Sequence, residues 1–109
     1  MSKNVVEVTD ATFEQEILKS ELPVIVDFWA AWCPPCLLAA PVVEALAKEY
    51  EGKVKFVKLN VDENMLTSQN FMVMSIPSFI GFKSGQETAR FVGFMPEPNF
   101  KNKIEEFLK

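Results

Sequence analysis

Apolar and polar positions alternate along this chain at two periods, and the period separates strand from helix. Residues 4–8 read as a short strand. Asp10 is placed to N-cap a helix over about residues 11–20, with Phe13 and Ile17 one turn apart on its buried side. Leu22-Pro23 breaks that helix. Residues 23–29 are too uniformly apolar for a half-exposed strand, which predicts a central strand covered on both faces. Ala39, Val43, Leu46, Ala47 and Tyr50 then keep helical spacing as far as Glu51, where Gly52 ends the run. Pro41 lies inside it and removes a backbone hydrogen bond, so a kinked helix and two separate helices both fit. Val54, Phe56, Val57 and Leu59 predict a strand over 53–59, parallel to 23–29 through a right-handed crossover. A short helix over 63–71 follows. Strands 78–82 and 88–93 flank Lys83-Ser84-Gly85-Gln86, an antiparallel hairpin. Phe100, Ile104, Phe107 and Leu108 give a closing helix one apolar stripe. This order predicts an α/β fold, a mixed central sheet with helices on both faces.

Chemistry concentrates where the central strand meets the long helix, at Trp32-Cys33-Pro34-Pro35-Cys36. These are the only two cysteines in the chain. A helix N-terminus carries partial positive charge and free N–H groups, and both favour thiolate over thiol. The second cysteine falls one turn on, on the same face, within reach of the first. A structural staple fits poorly, because so short a loop removes little unfolded-chain entropy. A metal site fits poorly too: structural zinc and iron–sulfur centres usually want four ligands, and the chain has no histidine and no second cysteine pair. Inert burial of both cysteines ignores the two prolines that fix the backbone between them.

Redox exchange remains. Cys33, nearer the helix start and solvent, is the expected attacking thiolate, and Cys36 the resolving thiol. With no histidine available, the candidate base for Cys36 is Asp27, an acid inside an apolar run, where burial raises its pKa.

Residues 26–36, Val-Asp-Phe-Trp-Ala-Ala-Trp-Cys-Pro-Pro-Cys, resemble the active-site segment of the thioredoxin family. The likeness continues through Pro41, residues 58–62, Ile76-Pro77, residues 82–85 and Val92-Gly93. It implies a thioredoxin fold, a central mixed five-stranded sheet flanked by four helices, and a protein-disulfide reductase. It also implies disulfide-containing protein substrates, a reductase-type electron donor, and Lys58 beside Asp27. A cis bond before Pro77 would expose the residue 76 backbone to an extended substrate. Trp32, Met74, Ser75, Ile76, Val92 and Gly93 would form the substrate rim. Leu37, Phe94 and Met95 would make that rim unusually apolar. One departure stands out: Pro34 replaces the family's usual glycine, and with Pro35 it becomes a candidate for tuning the redox poise. An oxidase or isomerase of the same fold, and a non-catalytic binding subunit, are the competing readings.

Length and charge narrow the rest. At 109 residues the chain suits one domain, residues 1–109. Ten phenylalanines against one tyrosine predict aromatic burial without polar handles. A net charge of −4 without a basic cluster argues against nucleic acid. Met1-Ser2-Lys3-Asn4 lacks the apolar core of a signal peptide, and no apolar run reaches membrane-spanning length. A cytoplasmic monomer without metal or cofactor is therefore expected.

Overall fold

Five strands form one sheet in the order β1-β3-β2-β4-β5 in the computed structural model, which describes residues 4–109. The strands are β1 Val5–Glu7, β2 Val24–Trp29, β3 Lys55–Asn60, β4 Ser78–Lys83 and β5 Gln86–Val92. Between them come α1 Glu14–Leu18, α2 Pro34–Glu49, α3 Met65–Asn70 and α4 Glu97–Leu108. The reading of the first three residues lies outside the described residues.

β2 is central, parallel to β3 and antiparallel to β4. Its alternating side chains enter two cores. Val24, Val26 and Phe28 pack with Phe13, Ile17 and Phe82 on the α1 side. Ile25 packs with Ala39, Val43, Phe100 and Ile104 beneath α2 and α4. A strand buried on both faces has no polar positions to alternate, which is why 23–29 reads as a continuous apolar run. α2 runs unbroken through Pro41, so the two-helix alternative falls.

The hairpin closes through Ser84 (φ 51°) and Gly85 (φ 78°). Two positive φ values are what a tight two-residue turn with the strands' own twist requires. Gly85 is needed twice over: a Cβ there would stand 2.9 Å from the Leu18 carbonyl oxygen.

The first helix departs from expectation. It is a five-residue turn of π type, in which Lys19 N–H donates to Glu14 O at 3.0 Å. Asp10 is not its cap. The helix has Phe13 at its cap position and no side-chain cap, and Thr9 Oγ1 accepts from Thr12 N–H at 3.3 Å in the turn that precedes it. The Asp10 carboxylate instead reaches α3, accepting from the N–H groups of Leu66 and Thr67 and from the Thr67 hydroxyl. Asn64 Oδ1 answers by accepting from Asp10 N–H at 2.9 Å. The sequence shows only that Asp10 suits a helix start; the fold supplies a start 55 residues downstream.

Burial pushes the Asp10 carboxyl up, but the hydrogen bonds from Thr67 and Leu66 outweigh it and hold it below its ordinary value. A depressed folded pKa stabilises above the unfolded value and is lost as pH falls through the folded one. Asp10→Ala is expected to cost about 1 kcal/mol at pH 7. Urea unfolding checks this, with the gap to the parent narrowing as the pH falls below the ordinary carboxylate range. Equal midpoints at pH 7 would refute the cap.

Candidate active site

Cys33 ends the segment that β2 launches. Its backbone is extended (φ −100°, ψ 105°), and it is the N-cap of α2. Pro34 and Pro35 follow at the first two helical positions, where the missing N–H groups have no intrahelical partner to lose and φ is already set. The first amide free to donate is Cys36 N–H, and it points at Cys33 Sγ, 3.2 Å away. The two cysteines are joined as a disulfide, with Cα atoms 5.3 Å apart.

The expectation that Cys33 is the more exposed needs correction, because both residues are 3% exposed. The capping position keeps the Cys33 sulfur tucked against its own helix. What separates the pair is direction. Cys33 lines a groove of about 450 Å³, and Cys36 does not.

Trp32, Pro34, Pro35, Val61, Val73, Met74, Ser75 and Ile76 complete that groove. Trp32 is 67% exposed, its indole fixed by a 2.7 Å hydrogen bond from Nε1 to Asp62 Oδ2. Met74, also in the lining, is 91% exposed. The Ile76–Pro77 bond is cis, and Ile76 O lies 3.8 Å from Cys33 Sγ. Val61 and Val73 were not foreseen. No local pattern marks them, since Val61 follows the end of β3 and Val73 the end of α3, and only the fold brings those ends together.

Val92 and Gly93 lie outside the groove. Val92 ends β5 opposite Ser78, and Gly93 N–H donates to Pro77 O at 2.8 Å. Gly93 has φ +93°, so glycine there answers first to backbone shape. Leu37 and Phe94 are exposed but line no part of the groove.

Asp27 sits between Ile25 and Trp29 on β2, and so on the face that α2 covers. Trp29 packs against the Cys33–Cys36 cluster. Asp27 is 7% exposed, and its Oδ1 has no hydrogen-bond partner among the described residues. Burial pushes its carboxyl up to about 7, and the Lys58 charge pulls the other way. Lys58 is directly opposite Asp27 in the β2–β3 register. Its Nζ nevertheless lies over the Trp29 ring, 5.2 Å from the centroid. Among the described residues, no three His, Cys, Asp or Glu side chains gather to hold a metal ion.

Comparison with known proteins agrees with this geometry. The family model "Thioredoxin" matches residues 4–106. The chain is 48% identical over 102 residues to thioredoxin of Synechocystis sp., covering 94% of this chain and 95% of that one. Thioredoxin 1 of Nostoc sp. is 47% identical with the same two coverages. Thioredoxin of Pseudomonas aeruginosa is 45% identical over 108 residues, covering 99% of this chain and 96% of its own. The likeness spans nearly every element of the fold, well beyond the cysteine motif. The protein is a thiol–disulfide oxidoreductase, a protein-disulfide reductase acting on disulfide-containing substrates with a reductase-type donor, and it belongs to the thioredoxin family.

Proposed function

We propose that residues 1–109 act as a single thioredoxin domain, a monomer in the cytoplasm, reducing disulfides in other proteins with Cys33 as nucleophile. The Cys33 thiolate attacks one sulfur of a substrate disulfide. A Cys33–substrate disulfide forms, and the other substrate sulfur leaves as a thiolate that takes a proton. Cys36 then gives its proton to the Asp27 carboxylate and attacks Cys33 Sγ. That expels the second substrate thiolate and leaves the Cys33–Cys36 disulfide. Two electrons have passed to the substrate, and a reductase-type partner returns them.

The observation that carries this reading is the Cys33 sulfur opening on the groove while Cys36 N–H steadies it from behind. In the dithiol form that N–H favours the thiolate. The wall at Met74, Ser75 and Ile76 would offer backbone groups to an extended substrate segment, with Pro77 setting its direction. Trp32 supplies a flat apolar wall. Val92 and Gly93 would contribute from beyond the groove, where a longer substrate runs past β5. An acidic chain without a basic cluster favours protein partners over nucleic acid. No helix among the described residues is long and apolar enough to cross a membrane. Reduction of insulin disulfides with dithiothreitol as donor tests the function. Acceleration over dithiothreitol alone supports it, and none would leave the binding-subunit reading.

Pro34 bears on the direction of exchange. With Pro35 it leaves Cys36 N–H as the earliest amide of α2 facing the sulfur. Pro34→Gly adds a donor at the helix start, so its Cys33 thiol is expected to ionise at lower pH than the parent's. Thiolate absorbance against pH reads this directly, and equilibration with glutathione reads the accompanying change in potential. Coincident titrations and potentials would remove Pro34 from the tuning of the pair.

A further inference from the structure

Asp27 and Lys58 face each other across two parallel strands, yet they form no ion pair among the described residues. Opposite charges in a mostly buried site attract strongly, so something competes for the ammonium. The competitor is the Trp29 ring, 5.2 Å from Lys58 Nζ to centroid, inside the range of a cation–π contact. Trp29 follows Asp27 by two residues on β2 and so shares its face. Its side chain also packs against the Cys33–Cys36 cluster. We propose that Trp29 is a positioning residue, whose indole face seats the Lys58 ammonium and keeps that charge off the Asp27 carboxylate.

The consequence is chemical. A carboxylate in contact with an ammonium is a weak base, because the pair is stabilised only while the acid stays ionised. With the ammonium parked on the ring, Asp27 keeps its affinity for the Cys36 proton. The inference rests on reading Asp27 as the base. Few other groups could perturb the titration. Phe79 pairs with Asp27 from β4, α4 brings Phe100, Ile104 and Phe107 to that core, and α2 brings Cys36, which does not titrate while disulfide-bonded. Lys58 is the one charged neighbour acting on Asp27 among the described residues.

The test follows the Asp27 side-chain carboxyl carbon by NMR against pH in the oxidised protein. The proteins are the parent, Trp29→Leu, Lys58→Met and the double variant. Trp29→Leu is expected to lower the Asp27 midpoint by about one pH unit, as the freed ammonium moves onto the carboxylate. In the Lys58→Met background the same substitution is expected to leave the midpoint unchanged. An equal downward shift in both backgrounds would overturn the proposal, since Trp29 would then act only by keeping water out. No shift on Trp29→Leu in the protein that keeps Lys58 would overturn it as well. Should Trp29→Leu fail to fold, the ring-current shift on the Lys58 ε-protons in the parent decides: present, it supports the seat, and absent, it overturns it. None of these readings uses turnover, so the role of Asp27 as base stands or falls separately.

Discussion

Cys36→Ser is expected to attack a protein disulfide once and then stop, holding its substrate covalently through Cys33. Resolution needs a second sulfur, and serine oxygen cannot take its place in a disulfide. The capping amide of residue 36 survives the change, because it belongs to the backbone, so the Cys33 thiolate keeps its donor. Cys33→Ser is expected to do neither step. Its remaining thiol at Cys36 lines no part of the groove, and a substrate disulfide held there does not meet it. Non-reducing electrophoresis after exposure to oxidised substrate checks both: about one substrate per Cys36→Ser chain, and about none for Cys33→Ser. Turnover in the insulin assay is expected to vanish in both variants. Mixed disulfides accumulating on Cys33→Ser instead would reverse the assignment of the two sulfurs.

Asp27→Asn is expected to make the protein more stable and less active at once. A rise from the ordinary value of 3.8 to about 7 means the fold holds the neutral acid more tightly than the unfolded chain does. Between those two values the folded state carries more protons, so stability falls as pH rises, and the loss is complete above pH 7. The span corresponds to about 4 kcal/mol. Asparagine removes the ionisation but buries an amide, which costs about 1–3 kcal/mol if unpartnered. A net gain of about 2 kcal/mol at pH 8 is therefore expected, with no gain at pH 4. Urea unfolding of the oxidised proteins at the two pH values measures it. Insulin reduction at pH 7 is expected to fall about tenfold or more, for want of a proton acceptor at the resolving step. Unchanged turnover would remove Asp27 from the mechanism, whatever the stability shows.

Much of this was legible in the sequence because local rules and the fold agree. The run Val24–Trp29 reads as a doubly covered strand because it has no exposed face, and Asp27 stands out because it interrupts that run. The cysteines read as a redox pair because their spacing is one helical turn. What was not legible depended on contacts between distant segments. Asp10 obeys the capping rule, but for α3 rather than the helix beside it. The exposure of Cys33 was misjudged because N-cap geometry folds the sulfur back onto Cys36 N–H. Val61 and Val73 enter the groove only because the ends of β3 and α3 meet there. The seat of Lys58 on Trp29 needs the β2–β3 register, which no local pattern supplies.

The Asp10 carboxylate ties the start of the chain to the helix that leads into Met74, Ser75 and Ile76. A leading segment that looks peripheral is thereby a mooring for one bank of the channel where substrate would lie. Trimming the chain past residue 10 would loosen that bank from behind, without touching a single atom that meets the incoming disulfide.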